Sequence, residues 1–293
     1  MNKGSSTSPH SQHCRLCGQS DVHGQWHIGP EWIDRCPSCR FVQLRESESE
    51  QPTAALYDES FFMKSKFADT VATSMENRRR LSLMRRFLEK GSKVLEMGCG
   101  TGEFARYAST TYEMWGIDIS PYAILEAQGA MPAIKNHFMA GRHEDLSLKN
   151  ESFDALVLWD CLEHLWHSAT NMERLSRLVK KDGMIFISTP LNDSLTATWM
   201  GKYWHFMIPP IHVELYTKGN LFFLAENRLK SVVKYWGAFG KWTSSGFFFH
   251  KLLKMIRLHS SQSKIDIFGP SAIGRIPLYI PTGDIQYMAA VKS

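Results

Sequence analysis

Short apolar runs alternate with amphipathic segments from Lys93 onward. The runs VLEM, MWGID, FDALVLW and GMIFIS have the length of buried strands, and the segments between them have the length and apolar spacing of helices. Strands separated by helices in this way favour a parallel sheet with helices on both faces. The pattern therefore predicts an α/β fold, with two further strands at 229–236 and 284–291.

The rest of the pattern divides the chain into four parts. Residues 1–13 are polar and predict a disordered tail, and 14–44 form a small Cys-containing module. Residues 45–75 begin with the polar run RESESEQPT and continue with aromatic residues, which predicts a linker and an aromatic lid segment. We assign 76–293 to the α/β domain, with a basic, aromatic insertion at 238–283.

The α/β domain opens with a predicted helix at 76–89, where apolar residues recur at helical spacing. The same segment holds five arginines: Arg78, Arg79, Arg80, Arg85 and Arg86. We interpret them as a solvated face of the helix.

Length and charge narrow the classes of function. The 293 residues, 43% of them hydrophobic, are enough to bury a large core, and a net charge of +5 does not by itself indicate nucleic-acid binding. The charge is uneven, because Arg228 to Lys264 holds eight Lys or Arg and no Asp or Glu. An anionic partner is therefore expected near that stretch.

The first residues, MNKGSSTSPHSQH, contain no apolar core of a signal sequence, and no later run is apolar enough to span a bilayer. We expect a cytoplasmic protein. An amphipathic pattern at 247–258 (FFFHKLLKMIRL) places apolar residues on one side and Lys and Arg on another. Such a helix either packs on the core or lies peripherally on the inner face of a membrane.

Four cysteines form two CxxC pairs: Cys14 and Cys17, then Cys36 and Cys39 after an 18-residue gap. This spacing is typical of a zinc ribbon, in which four thiolates close a tetrahedral site. A closed site of this kind stabilises a short segment and does no chemistry. The sequence therefore predicts a structural zinc ion, with a nearby His as an alternative ligand.

The run EMGCGTG at 96–102 directly follows the first predicted strand. Glycines there let the backbone turn tightly and approach a ligand closely. Asp118 ends the next strand, where a carboxylate can accept both hydroxyls of a ribose. The glycines run GxGxG and not the dinucleotide pattern GxGxxG, and Glu96 beside them suits a cationic cofactor better than a pyrophosphate.

With these motifs the chain resembles the class I S-adenosylmethionine-dependent methyltransferases, from about Glu76 to its C-terminus. DCLEHL at 160–165 resembles the family's "xxLEHL" signature, and GMIFISTP resembles its fifth strand. The resemblance implies a Rossmann-like sheet of seven strands with helices on both faces, the last strand running antiparallel. A Rossmann-like domain with another cofactor is the alternative.

The resemblance also implies a cofactor site at the carboxyl ends of the first strands. The implied residues are Glu96, Gly98, Cys99, Gly100, Gly102, Asp118, Ile119, Glu144 and Asp145. Among them, Asp118 would bind the ribose and Ile119 would pack on the adenine. Arg142 and His143 depart from the family's commoner GDAEDL form, which puts side-chain recognition of the adenine amino group in doubt.

The signature has two further interpretations. Some relatives that methylate hydroxyls hold a divalent metal with residues in this order, here Asp160, Glu163, His164 and His212. Alternatively, Glu163 and His164 are structural. A hydroxyl acceptor must lose a proton, and we take His164, His212 and Glu163 as the candidate catalytic residues, expecting a histidine pKa near neutrality.

Aromatic residues between 191 and 217 are candidates for acceptor binding. The leading hypothesis is an O-methyltransferase acting on a small molecule, a glycan or a lipid-linked precursor. The alternative is an RNA or protein methyltransferase whose zinc module and basic stretch bind the polymer, although the missing (N/D)PP(Y/F) tetrad disfavours methylation of adenine. A catalytically silent cofactor-binding module is the third hypothesis.

Overall fold

The structure is a computed structural model that describes residues 13–20, 22–46, 54–66, 70–246, 248 and 273–293. Its main sheet has seven strands, which confirms the predicted sheet. Along the chain these strands are β4 (Lys93–Met97), β5 (Glu113–Asp118), β6 (Phe138–Ala140), β7 (Phe153–Trp159), β8 (Val179–Pro190), β10 (Ser231–Ser244) and β11 (Pro277–Lys292). The smaller sheet contains β1 (His23–Ile28), β2 (Glu31–Arg35), β3 (Val42–Leu44) and β9 (Glu214–Leu215).

The strands of the main sheet follow the order β10-β11-β8-β7-β4-β5-β6. Neighbours from β8 to β6 are parallel, whereas β11 lies antiparallel to both β8 and β10. The order reverses direction next to β4, so the carboxyl ends of β4, β5 and β7 border a crevice, which is where open α/β sheets bind ligands. The antiparallel last strand confirms the topology expected from the sequence.

Helices cover both faces of this sheet because its central strands are apolar on both sides. Leu95, Leu156 and Ile185 point to one face, and Val94, Val157 and Phe186 point to the other. The helices are α1 (Glu59–Lys66), α2 (Thr70–Met84), α3 (Glu103–Ala108), α4 (Pro121–Ala130), α5 (Ser168–Ser176), α6 (Leu195–Met200) and α7 (Lys218–Phe223). Helices α2, α3 and α4 pack on the second face, and α5 and α7 pack on the first.

The N-terminal module shares its core with the main domain. Leu16, Cys36 and Phe41 are buried in the same apolar cluster as the central strands. Strand β3 also pairs with β9, a two-residue strand that lies between α6 and α7 along the chain. The module is therefore packed into the α/β fold by both side chains and backbone.

A buried ion pair joins the module to the main domain. The Arg15 guanidinium donates to Glu214 Oε1 at 2.9 Å, and also to the backbone carbonyls of Leu44 and Val213. The Glu214 side chain is fully buried, and its other oxygen accepts hydrogen bonds from Ser168 and Tyr216. Both oxygens of this carboxylate thus have donors, as a buried charge requires.

Helix α2 corrects the prediction made for 76–89. It begins at Thr70 and ends at Met84, and the solvated-face interpretation is wrong for two of its arginines. Arg79 lies over the rings of Phe239 and Tyr287, and Arg80 forms an ion pair with Asp160. The sequence of α2 alone could not predict these contacts, because their partners are distant in the chain.

Strands β10 and β11 are longer than the strands predicted at 229–236 and 284–291. Beyond the main sheet, β10 and β11 continue to pair with each other as far as Ser244 and Pro277. The amphipathic segment predicted at 247–258 lies outside the described residues, apart from Phe248. Among the described helices, none has the length and apolar character needed to span a bilayer.

The Arg15–Glu214 pair makes a stability prediction. Arg15→Met should lower the free energy of unfolding by about 3 to 5 kcal/mol, because it leaves a buried carboxylate without its cation. Adding Glu214→Gln should restore part of this loss, since the amide still accepts hydrogen bonds but carries no charge. Urea unfolding followed by circular dichroism measures both effects.

The matched control is Arg177→Met, which removes an exposed guanidinium 3.9 Å from Glu173. An exposed pair of this kind should contribute less than about 1 kcal/mol. If Arg15→Met is as mild as Arg177→Met, the pair does not hold the module in place.

Candidate functional site

A cavity of about 550 Å³ opens at the carboxyl ends of β4, β5 and β7. Its wall includes five of the predicted cofactor residues: Gly98, Gly100, Asp118, Ile119 and Glu144. Asp160 and His164 line the same cavity from the loop after β7. The structure therefore brings the glycine loop, the acidic residue after β5 and the LEH signature to one crevice.

The glycine loop follows the geometry that its residues require. Gly98 has a φ of 71°, and a Cβ at this position would lie 2.6 Å from Cys161 Sγ. Gly102 has a φ of 77°, and a Cβ there would lie 2.7 Å from Met131 Cε. A side chain at either position would therefore be strained and would collide with its neighbours, so the turn out of β4 depends on glycine.

Asp118 is buried at the end of β5 and ties the loop to the next strand. Its Oδ2 accepts a hydrogen bond from the Gly100 amide at 2.8 Å, and its Oδ1 accepts one from the Ser120 amide at 2.9 Å. Burial raises the pKa of this carboxyl, whereas the two amides lower it. Each oxygen keeps a second lone pair, so the group can still accept hydroxyls from a ligand in the cavity.

Glu96 is the penultimate residue of β4 and is buried, with no described partner for its Oε2 atom. Burial raises the pKa of Glu96 to about 8, and the nearby Arg80 guanidinium opposes that shift. A buried carboxylate oxygen without a hydrogen bond is costly. The position would be stabilised by a cationic ligand.

The wall of the cavity does not include the other four predicted cofactor residues: Glu96, Cys99, Gly102 and Asp145. Cys99 is buried against Gly116, and Gly102 begins α3. Asp145 is exposed. Its neighbour Glu144 has its Oε2 atom 3.0 Å from His143 Nδ1. Asp145 and Cys99 thus have no direct contact with the space that a cofactor would occupy.

Asp160 occupies a strained position directly after β7, with a φ of 50°. The Arg80 guanidinium forms an ion pair with its Oδ2, and the Ser188 hydroxyl donates to its Oδ1 at 2.7 Å. A non-glycine residue in this conformation persists only where its surroundings fix it. Arg80 was not among the predicted site residues, and only its place in an arginine-rich helix could have drawn attention to it.

Three of the four residues suggested for a divalent metal lie together. One candidate ligand atom from each of Glu163, His164 and His212 falls within 4.8 Å of the others, whereas Asp160 is held by Arg80 instead. Glu163 is buried and accepts a hydrogen bond from Thr189. His212 is buried as well but does not line the cavity, so of these two histidines His164 is the one that faces it.

Hydrogen bonds settle the protonation of both rings. His164 Nδ1 lies 2.9 Å from the carbonyl of Ile211, and His212 Nδ1 lies 2.7 Å from that of Phe206. A carbonyl accepts only, so each Nδ1 carries the proton and each Nε2 carries a lone pair. Burial lowers the pKa of His164 below its ordinary value and lowers the pKa of His212 to about 3, so the expectation of a value near neutrality is wrong for His212.

Aromatic residues just before and within α1 cover one side of the cavity. Tyr57, Phe61 and Phe62 belong to its wall, and the Ser120 hydroxyl donates to the Tyr57 carbonyl at 2.6 Å. The Tyr57 hydroxyl lies 3.3 Å from His164 Nδ1. The sequence indicated an aromatic segment here, but the contact between Tyr57 and the LEH loop could not be read from it.

The four cysteines of the N-terminal module also form a cluster. Their sulfur atoms all lie within 4.8 Å of one another, and none of the four is in a disulfide. Two tight turns around the CxxC pairs bring them together, with Gly18 N donating to Cys14 O and Arg40 N donating to Cys36 O. This donor set and spacing fit a tetrahedral metal ion.

Comparison with known proteins agrees with this geometry. A family model described as "Methyltransferase domain" matches residues 71–228, more than half of the chain. A ubiquinone biosynthesis O-methyltransferase of Haemophilus ducreyi is 30% identical over 115 residues, which cover 36% of this chain and 48% of that protein. The chain spans about a third to a half of the length of the curated relatives it matches.

Solved structures show the same fold at low sequence identity. A SAM-dependent methyltransferase from Methanosarcina mazei superposes with a TM-score of 0.50 at 16% identity, covering 72% of this chain and 96% of the other. The cyclase SpnF gives a TM-score of 0.55 at 15% identity, covering 84% and 99%. Since one of these is a cyclase, the likeness concerns the fold alone.

Proposed function

Because the chain belongs to the family of methyltransferase domains, we propose that it transfers a methyl group from S-adenosylmethionine to a hydroxyl oxygen. The acceptor in this proposal is a small molecule, a glycan or a lipid-linked precursor. The observation that carries it is the shared cavity, in which Asp118 and the glycine loop face the same space as His164. The matched ubiquinone biosynthesis O-methyltransferases support oxygen as the acceptor atom.

The residues of the cavity fit this cofactor. Asp118 has free lone pairs for the ribose hydroxyls, and Ile119 lies beside it in the wall as an apolar contact for the adenine. Gly98 and Gly100 leave the loop without side chains where the amino-acid part would lie. The buried oxygen of Glu96 that lacks a described partner suits a cofactor with positive charge.

The bound cofactor supplies an electrophilic methyl group on a sulfonium, which leaves as a neutral thioether. The protein therefore has to align the acceptor and exclude water rather than stabilise a developing charge on a leaving group. Tyr57, Phe61 and Phe62 provide an apolar cover for this purpose. Tyr57 also joins the cover to the loop that carries His164.

His164 is suited to accept the proton of the hydroxyl. Its Nδ1 proton is held by the Ile211 carbonyl, so Nε2 has the free lone pair, and burial keeps the ring neutral at neutral pH. His212 lies next to it, with ring centroids 4.8 Å apart, and would restrict the orientation of the first ring. In this arrangement His164 acts as the general base and His212 positions it.

A divalent metal is the alternative for the same residues. Glu163, His164 and His212 can each offer one ligand atom within a small space, and their mixed oxygen and nitrogen atoms suit Mg²⁺ or a transition metal. In that case the metal would lower the pKa of the acceptor hydroxyl. Chelators distinguish the two mechanisms.

We also propose that the four-Cys cluster holds one structural zinc ion. Leu16 and Phe41 of this module pack into the core of the main domain. The module therefore has a structural role that requires no RNA or protein substrate. This packing makes the RNA or protein methyltransferase the less favoured alternative. Salt-sensitive binding of RNA would favour it again.

The general-base role makes the first prediction for activity. Purified protein, S-adenosylmethionine carrying a carbon-13 methyl group and fractionated cell extract should yield a product whose chemical shift identifies an O-methyl group. His164→Ala should lower kcat by about 10² to 10⁴. Because the pKa of His164 is lowered, kcat should be constant through neutral pH and should fall only in acid.

The control for this experiment is His23→Ala, which changes an exposed residue of β1 and should leave kcat unchanged. Loss of activity in EDTA with rescue by Mg²⁺ or Mn²⁺ would replace the simple base with the metal. Label in an N-methyl or C-methyl product would contradict the choice of oxygen.

The raised pKa of Glu96 makes a prediction for cofactor affinity. At pH 6 this carboxyl is protonated, and as pH rises toward its pKa of about 8 it ionises and attracts the cofactor's ammonium group. Affinity for S-adenosylhomocysteine should therefore rise between about pH 6 and pH 7.5, by at most about tenfold per pH unit. Calorimetry measures this change.

Two comparisons test whether the Glu96 carboxyl causes the pH dependence of affinity. Methylthioadenosine lacks the amino-acid part, so its affinity should not change over the same pH range. Glu96→Gln should remove the pH dependence for S-adenosylhomocysteine while keeping the shape of the site. An unaltered pH dependence in Glu96→Gln would assign it to another group.

The zinc site makes a prediction for metal content. Elemental analysis of the reduced protein should find one zinc per chain, and Cys36→Ser should lower both the zinc content and the melting temperature of the whole chain. The control is Cys99→Ser, which changes a buried cysteine of the glycine loop and should keep the zinc. If zinc-free wild-type protein had the same melting temperature as the zinc-containing protein, the site would be disproved.

A further inference from the structure

Three large side chains on one side of α6 are almost fully exposed. Leu195 and Trp199 are each 88% exposed, and Tyr203, in the turn that follows, is 76% exposed. The spacing of four residues places Leu195 and Trp199 on the same side of α6, and Tyr203 follows at the end of the next short turn. We call these three residues the apolar stripe.

The opposite side of the same segment is firmly packed. Ala197 and Trp204 are buried, and the Ser194 hydroxyl caps α6 by accepting a hydrogen bond from the Ala197 amide. Trp204 Nε1 and Thr196 Oγ1 both donate to the buried carboxylate of Asp284 on β11. The backbone of the stripe is therefore anchored to the main sheet, and its exposure belongs to the folded state.

The stripe has no part in the cavity described above. None of its residues lies in the wall of that cavity, which contains Asp118 and His164. Its exposure thus needs a different explanation, since contiguous exposed apolar side chains of this size mark surfaces that contact something else.

Charge indicates what that surface contacts. Residues 194–213 contain no Asp or Glu, and Lys202 lies within the stripe itself, over the Tyr203 ring. Lys241 of β10 lies close to the same segment, over the Phe206 ring. An anionic surface is the complement of this arrangement.

Area distinguishes a lipid surface from a protein partner. An aromatic side chain buries roughly 150–250 Å², so three side chains together fall short of the about 800 Å² per partner of a standard protein interface. Trp and Tyr beside Lys are the residue types that occupy the headgroup region of a bilayer. A narrow stripe with lysines beside it therefore fits a lipid surface better than a protein.

We propose that the apolar stripe inserts into the headgroup layer of an anionic phospholipid bilayer and holds the protein reversibly at the membrane surface. Insertion of three side chains provides the apolar part of the affinity, and the positive charge of Lys202 beside them favours anionic lipid. The proposal is independent of the methyl-transfer reaction, because the stripe is separate from the cavity.

Vesicle binding tests the proposal directly. The full chain should sediment with vesicles of phosphatidylcholine and phosphatidylglycerol, and binding should weaken in high salt and be absent with phosphatidylcholine alone. The double variant Leu195→Ser, Trp199→Ser should reduce the bound fraction at least about tenfold, since most of the inserted apolar area is removed. The control is Leu125→Ser on α4, which removes a side chain that is 68% exposed elsewhere.

A second variant reports insertion rather than binding. Trp199→Phe should still bind the anionic vesicles but should lose the quenching of tryptophan fluorescence that lipids brominated near the headgroup cause in the wild type. Unchanged melting temperatures would show that the variants are folded.

Three outcomes would overturn the proposal. If the wild-type protein does not sediment with anionic vesicles, the proposal is wrong. Undiminished binding by the folded double variant would assign the membrane contact to another part of the chain. A wild-type dimer that the double variant converts to a monomer, without an effect on vesicle binding, would show that a second copy of this chain covers the stripe.

Discussion

The buried carboxylate of Glu214 is the constraint on which the arrangement of this molecule depends. Its side chain has no exposure, and it receives hydrogen bonds from Arg15 of the N-terminal module and from Ser168 and Tyr216 of the main domain. A buried charge is tolerated only when it is paired and fully hydrogen-bonded. Without the N-terminal module, the buried Glu214 carboxylate of the main domain would therefore lack the cation that pairs with it.

The segment that carries Glu214 also shapes the candidate active site. On one side, the Leu44 amide of β3 donates to the Val213 carbonyl, and on the other, the Val213 amide donates to the Glu163 carbonyl. Two residues earlier, the Ile211 carbonyl fixes the tautomer of His164. One short segment thus contacts the four-Cys module and the LEH loop, so disorder in the module would reach the proposed base through backbone hydrogen bonds.

The sequence revealed the parts of the fold that depend on local pattern. Apolar runs located the parallel strands β4, β5, β7 and β8, and the glycines of 96–102 with Asp118 located the crevice, because backbone geometry dictates those residue types. The parallel strand β6 has only three residues and was not predicted from such a run. Strand β9 is only two residues long and pairs with a strand more than 170 positions away, so no periodicity marks it. The Arg80–Asp160 pair and the pKa of His212 also depend on long-range packing, which a pattern along the chain does not encode.

Charge explains why these separate features suit one cofactor. Four carboxyl groups, Glu96, Asp118, Asp160 and Glu163, lie at or just beyond the carboxyl ends of β4, β5 and β7. Among the described residues, the Arg80 guanidinium is a shared counter-charge, since it pairs with Asp160 and lowers the pKa of both Glu96 and Glu163. Among the described residues, Arg80 forms its ion pair with Asp160, and burial raises the pKa of the other three carboxyls. A cofactor with a positive sulfonium and a positive ammonium would place positive charge beside these carboxyls, whereas a pyrophosphate would place negative charge there.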